Sequence, residues 1–501
     1  MPDRREATGD VGSLTMAHEV AVMAEHCAAL GRSGVVCAAA PLAAQAGAAA
    51  LRDGGNAYDA VVAAALAETV LLPPKCGFGG DLIAIRLVAD SPTPDALLAI
   101  GGAPAGLSDV ARSGTWREVG PMSVGPPAAA PGYAALVDLG RLGRARLAAP
   151  AIDLATHGFP WAEVCSRLSR QAAALVREMN PEGCAYYPGG SPINPGTITR
   201  LPGLARVLEE FVVRGAELMH GPLGSAVVAA VRGRGGVLEH DDFGYARAEW
   251  APCVAGRAAT LQGDVTTWAT PAPTHGPSLL DAVAGLRAAA SPAEVLRAVM
   301  RSIAERRSTL ADPSGTSMVS AADADGNVVV VVHSNSFPRF GSGIVVPGYD
   351  LPLANRAGRG FTPEPGHPNF PSAGRRPATT LHAWAVAGID GRPRFIGATP
   401  GGANQMPWNA QTLARIAAGE THPGVLVASP IWEWLPEDDG LRIEAGFEPA
   451  EVESLRAGVG RMIDAPRWGC KSAQQVVRIR RADEPWMAAA DPRTVGLALG
   501  V

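Results

Sequence analysis

Residues 315–327 read GTSMVSAADADGN, and this stretch decides the fold. A small hydroxyl residue stands behind a glycine. TSMVSAAD (316–323) follows, then an Asp-Gly turn, then VVVVVHS (328–334). The pattern predicts two β-runs joined by a tight turn. The second run is apolar on both faces, as in a central buried strand. An ordinary hairpin is one reading of the stretch. The other is that the bond between Gly315 and Thr316 is cut. A threonine made N-terminal holds nucleophile and base together, because Oγ attacks and its own α-amine takes the proton. That amine titrates at ~7.7–8.0. To create it, the Thr316 hydroxyl must first attack the Gly315 carbonyl, shifting the peptide to an ester that water opens. Glycine leaves that carbonyl sterically open. Gly-Thr dipeptides are common, so the pair is informative only through its surroundings.

Working outward, SPAEVLRAVMRSIAERRSTLADPSG (291–315) reads as a helix opened by Ser291-Pro292 and closed by polar punctuation. PLAAQAGAAALRDGGNAYDAVVAAALAETVLLPP (41–74) reads as two helices. Gly54-Gly55 ends the first, Asn56 caps the second with Asp59 in its first turn, and Pro73-Pro74 stops it. GFGGDLIAIRL (77–87) is a glycine-rich turn into a buried strand. Helical stretches are expected near 131–140, 148–158 and 201–219, the last amphipathic, and 180–200 is turn-rich. RPATTLHAWAVAGIDGRPRFIGATPGG (376–402) repeats strand, Asp-Gly turn, strand, then a glycine pair. The C-terminal third thus reads as sheet-rich and the first 300 residues as helix-rich.

The chain has 501 residues, 47% hydrophobic and 18% charged, enough apolar material for a large core. The formal net charge of −5, with no long basic block, gives no support to nucleic-acid or membrane-surface binding. Seven cysteines, an odd number with no CxxC pair, point to scattered thiols rather than a disulfide framework. No run of 18 apolar residues and no apolar leader core is visible, so a cytoplasmic location is the expectation.

The sequence holds no GxSxG elbow, no HExxH and no His/Cys cluster with zinc spacing, so no metal or other cofactor is expected. His333 reads more readily as a satisfied structural histidine than as a catalytic one.

Five stretches in order resemble the γ-glutamyltranspeptidase family of N-terminal-nucleophile hydrolases. They are the helix pair and glycine turn of 41–82, TSMVSAADADGN, FGSGIVVPGYDLPLAN (340–355), RRPATT (375–380) and ATPGG (398–402). The resemblance covers roughly residues 35–495. It implies an α+β fold, a four-layer αββα sandwich. The implied subunits are a large one, 1–315, and a small one, 316–501, which self-associate as one interlocked unit. It implies Thr316 as nucleophile and new N-terminus, with Ser334 supporting it. Gly401 and Gly402 would supply N–H groups to the developing oxyanion. Thr379 and Thr380 would replace a serine pair that binds a substrate carboxylate, and Asn335 and Gly102 would also line the substrate site.

Three departures bear on the substrate. The family's Thr-Thr-His at the cut is here Thr316-Ser317-Met318. Its carboxylate-clamping arginine is missing, because LLAIGGAPAGL (97–107) has Gly101-Gly102 in that region. After the Gly-Tyr loop, Arg356 and Arg359 stand near positions where the family carries acids or amides. Such a pocket would repel an ammonium and attract a carboxylate.

The resemblance extends to a divergent branch of pathways to the 4-alkylproline units of lincosamide, hormaomycin and pyrrolobenzodiazepine antibiotics. That branch implies hydrolytic carbon–carbon cleavage of a dihydropyrrole bearing an oxo-acid side chain, with loss of oxalate. The expected partner is therefore a carboxylate-rich small molecule. Two alternatives stay open: a γ-glutamyl hydrolase or transferase acting on glutathione-like amides, and an unprocessed, non-catalytic binding relative. The sequence does not fix the oligomeric state, a homodimer being one option.

Overall fold

The stretch 316–334 folds as an antiparallel hairpin of Ser317–Ala322 and Val328–Ser334, with Ser317 opposite His333 and Ala322 opposite Val328. Its turn is closed by Asp323, whose side chain accepts the N–H groups of Asp325, Gly326 and Asn327. The computed structural model describes residues 10–307 and 316–501. Gly315 therefore lies outside the described residues.

The hairpin sits at the centre of a seven-stranded antiparallel sheet. In spatial order its strands are Leu497–Gly500, Val35–Ala38, Ser317–Ala322, Val328–Ser334, Asp81–Leu87, Asp95–Ala99 and Ala248–Pro252. A second antiparallel sheet runs Ala28–Gly31, Trp486–Ala490, Gln475–Arg478, Pro393–Ala398, Ala383–Ala387, Gly263–Ala269 and Val254–Thr260. Strand alternation sorts the hairpin's side chains into two cores. Val319, Ala321, Val329 and Val331 pack with the helices Pro41–Arg52 and Ala57–Leu71. Met318, Ala322, Val328, Val330 and Val332 pack with Ala383, Ala385, Ile396 and Val476 of the second sheet. Helices Gly276–Ala284, Pro292–Arg307 and Gln405–Ala417 share that second core, giving the four-layer αββα sandwich.

The local signals hold where their physics is local. Asn56 caps the Ala57–Leu71 helix by accepting the N–H groups of Tyr58 and Asp59, while Asp59 accepts the Asn56 N–H. The 201–219 stretch breaks at Gly215 (φ +57°), leaving a helix Pro202–Arg214 and a tighter 3-10 helix, Gly215–His220. The first part is richer in helix and the last third richer in strand, as the sequence reads, but both parts contribute to each sheet. Four strands of the first sheet and three of the second come from before residue 308. Strands from both parts pair directly, Val319 with Ala38 and Val328 with Leu87. Neither part can complete a sheet alone. All seven cysteines are free thiols.

Candidate active site

The alternation of the Ser317–Ala322 strand gives Thr316 and Ser317 different neighbours. The Ser317 hydroxyl reaches the helix layer, where it donates to Glu68 Oε2 at 2.6 Å. The ring of His333 meets the same oxygen at 2.9 Å, and the other Glu68 oxygen accepts the Ala39 N–H at 2.7 Å. The Tyr133 hydroxyl lies 2.7 Å from His333 Nδ1. Burial pushes the Tyr133 phenol far up, so it keeps its proton and donates to Nδ1. Both ring nitrogens of His333 are therefore engaged, Nδ1 by Tyr133 and Nε2 by Glu68. His333 is thus the satisfied structural histidine its sequence context suggested. The Cys76 thiol, Glu68 and His333 bring ligand-type atoms within 4.8 Å of one another. Both carboxylate oxygens and both ring nitrogens are engaged by protein groups.

Thr316 is buried, and the hairpin register places Ser334 opposite it. Its Oγ1 lies 3.2 Å from the side-chain amide of Gln405, which is also 3.2 Å from Thr380 Oγ1. Gln405 opens the helix Gln405–Ala417, three residues after Gly402. The amide orientation that satisfies both its ends turns Oε1 to the Thr316 and Thr380 hydroxyls and to the Gly402 N–H, each at 3.2 Å. Nε2 then donates to the carbonyls of Thr380 at 3.0 Å and Thr399 at 3.2 Å.

The glycine pair is conformationally demanding. Gly401 has φ +148° and Gly402 has φ +63°. A Cβ on Gly401 would stand 2.2 Å from the Trp408 ring. Glycine is required at both positions.

The two threonines of RRPATT part company. Thr380 joins Gln405, whereas Thr379 turns its Oγ1 back to accept the Leu381 N–H at 3.2 Å. Beneath Thr380, His382 Nδ1 donates to the Thr380 carbonyl at 2.8 Å and Nε2 accepts from Asn409 Nδ2 at 2.8 Å. Burial lowers the His382 pKa to about 4.

The two arginines also separate. Arg356 is 4% exposed. Its Nε donates to Asp81 Oδ2 at 2.8 Å and its Nη2 to Ser334 Oγ at 3.2 Å. Its Nη1 is buried with no hydrogen-bond partner among the described residues. Asp81 also accepts the Gly101 N–H at 3.0 Å, and burial raises its pKa even though Arg356 pulls it down. Arg359 instead pairs with Glu118 at 3.0 Å and lies over the Phe337 ring. Asn335 is held by Lys75 and Pro73 carbonyls, with Oδ1 buried and unpartnered among the described residues. Gly102 packs on the main chain of Gly374, whose carbonyl oxygen would be 2.6 Å from a Cβ. An arginine there has no room.

Sequence reasoning missed Gln405 and Asp81. The only sequence signal for Gln405 is an amide opening a helix just behind ATPGG; for Asp81 it is an acid opening a buried strand behind GFGG.

The family model for gamma-glutamyltranspeptidase matches residues 43–314 and 287–501. The glutathione hydrolase-like YwrD proenzyme of Bacillus subtilis is 26% identical, over 92% of this chain and 97% of its own length. The oxamate amidohydrolase proenzyme of Klebsiella pneumoniae is 26% identical, over 86% and 91%. Among solved structures, cephalosporin acylase from Bacillus halodurans superposes with a TM-score of 0.81 at 23% identity, over 95% of this chain and 97% of its own. LmbA2991HD superposes with a TM-score of 0.78 at 23% identity, over 94% and 99%. The two superpositions bear on the fold. Among the described residues, no helix is long and apolar enough to cross a membrane.

Proposed function

From the premise that the chain belongs to the gamma-glutamyltranspeptidase family and is an N-terminal-nucleophile hydrolase, we propose that Thr316 is its nucleophile, released by self-cleavage after Gly315. We further propose that the substrate is a small 2-oxo acid, split hydrolytically at the carbon–carbon bond beside its ketone, as in 4-alkylproline antibiotic assembly. The products 1–315 and 316–501 stay together through the strand pairs that join them.

One observation carries the substrate reading: the Arg356 guanidinium touches Ser334 Oγ at 3.2 Å, and Ser334 stands opposite Thr316. A cation one hydroxyl away from the nucleophile suits a carboxylate directly attached to the attacked carbonyl. A γ-glutamyl group carries its carboxylate three carbons further off. Its unpartnered Nη1 leaves Arg356 able to take another acceptor. The oxamate named for the Klebsiella pneumoniae relative likewise carries a carboxylate next to its carbonyl.

Thr316 Oγ attacks the ketone carbon, and the α-amine takes the hydroxyl proton. The negative oxygen is stabilised by main-chain N–H groups of the glycine pair, a contribution on the order of 3 kcal/mol per donor. The tetrahedral centre collapses by breaking the bond to the carbon leaving group, which takes the proton back from the ammonium. An oxalyl ester remains on Thr316. Water attacks it, with the α-amine again as base, and oxalate leaves.

Intact-mass measurement of the full-length chain tests this. Two fragments corresponding to 1–315 and 316–501 are expected, with a transient oxalyl adduct on the second after exposure to a 2-oxo acid or oxamate. Thr316→Ala should stay in one piece. Cleavage of Thr316→Ala would overturn the nucleophile. Fast turnover of γ-glutamyl anilides, with none of oxamate or 2-oxo acids, would overturn the substrate class.

A further inference from the structure

The side chain of Gln405 is fully buried, and its amide has five polar neighbours. Burying an amide is costly unless both ends are engaged. The helix it opens also buries Met406, Trp408, Asn409 and Gln411; Asn409 and Gln411 bond to Trp384, His382 and main-chain groups, whereas the Gln405 amide meets the Thr316 hydroxyl. The amide therefore has a role beyond packing.

We propose that Gln405 is a catalytic residue of this chain that fixes the position of the Thr316 hydroxyl hydrogen. The proposal rests on Thr316 being the nucleophile. A hydroxyl hydrogen rotates freely about its C–O bond until an acceptor selects one direction. Gln405 Oε1 is that acceptor, 3.2 Å from Oγ1. With the hydrogen held there, the Oγ lone pairs point away from Gln405, free to attack. The carbonyls of Thr380 and Thr399 hold Nε2 from the other end, so oxygen and nitrogen cannot trade places. An amide oxygen does not take a proton near neutral pH. Gln405 holds the hydroxyl in the resting state; as Oγ attacks, the hydrogen swings from Oε1 to the base that takes it.

The same oxygen accepts the Gly402 N–H. As charge grows on the attacked carbonyl oxygen, that N–H exchanges a neutral acceptor for an anion, a stronger bond. The donor is thus kept satisfied until the transition state calls on it.

Self-cleavage of freshly synthesised full-length chain provides the test, because the uncut chain has no Thr316 α-amine to add its own titration. Chains are made in a short cell-free pulse and followed by intact mass across pH 5 to 9. Gln405→Met should slow cleavage about 100-fold, the scale for losing one such group, while keeping the wild-type circular dichroism. Gln405→Glu should be slow at high pH, where a carboxylate faces two carbonyls and the developing oxyanion. It should recover as pH falls, because the protonated acid restores a neutral acceptor and a donor. That acid limb should be absent from wild type. A merely structural role would lower the rate without changing the profile's shape. Cleavage of Gln405→Met within about threefold of wild type would overturn the proposal, as would identical pH profiles for Gln405→Glu and wild type. A Thr316→Ala chain run alongside separates the premises: if it cleaves, the nucleophile is wrong, and if it does not, the result for residue 405 stands by itself.

Discussion

Ser317 Oγ and His333 Nε2, cross-strand partners in the central hairpin, meet the same oxygen of Glu68, at 2.6 and 2.9 Å. One carboxylate on the helix Ala57–Leu71 therefore holds both strands beside the proposed nucleophile, and it also takes the Ala39 N–H. Glu68→Ala would strand three buried donors. It should cost about 3–5 kcal/mol in denaturant unfolding. Ser317→Ala, which removes one donor and leaves two, should cost about 1 kcal/mol.

Arg356 and Asp81 form a buried ion pair, and they should behave as a unit. Arg356→Met leaves the Asp81 carboxyl without its partner and should destabilise by about 3–5 kcal/mol. The double variant Asp81→Asn with Arg356→Met should recover much of that loss, a coupling of about 2 kcal/mol in a double-mutant cycle. It should not recover turnover of carboxylate substrates, which separates the arginine's structural pairing from its proposed binding role.

Gly401→Ala should abolish activity. The added Cβ meets the Trp408 ring at 2.2 Å in a backbone conformation with φ +148°. Moving the chain to relieve the clash displaces both N–H groups of the glycine pair. A kcat loss of at least about 100-fold is expected, read on the proposed 2-oxo acid substrate.

His382 should make the fold acid-sensitive. Its folded pKa is about 4, below the ordinary 6.5, because burial disfavours the imidazolium. Protonation would also turn an Nε2–H against Asn409 Nδ2. The neutral ring's contribution is fully present above pH 6.5 and is lost as pH falls from there to about 4. The loss amounts to roughly 3 kcal/mol. Unfolding midpoints of wild type and His382→Gln should converge across that window. Parallel curves would show that His382 does not titrate there.

The readings that succeeded rest on local rules. Asn56 caps because its side chain reaches N–H groups two and three residues on, which spacing alone predicts. The turn at Asp323–Asn327 and the buried Val run follow from turn chemistry and from the absence of polar alternation. Arg356 and Arg359 show where local rules stop. They lie three residues apart in one short helix, Arg356–Gly360, with nothing in spacing to distinguish them. One is buried against Asp81, 275 residues away in sequence, and the other is paired with Glu118.

The sequence by itself determined the central hairpin, the helix pair beside it, the glycine pair and the order of the motifs. Each is set by dihedral preference, hydrogen-bond reach or apolar patterning within a few residues. Only the tertiary structure decided that Gln405 holds the Thr316 hydroxyl, that Thr380 rather than Thr379 joins it, and that Arg356 rather than Arg359 reaches Ser334. Those choices depend on strands from both parts of the chain closing two interleaved sheets. The contacts span from 22 residues, Arg356 to Ser334, to 275, Arg356 to Asp81. No periodicity links residues that far apart, because their proximity comes from packing the four layers together.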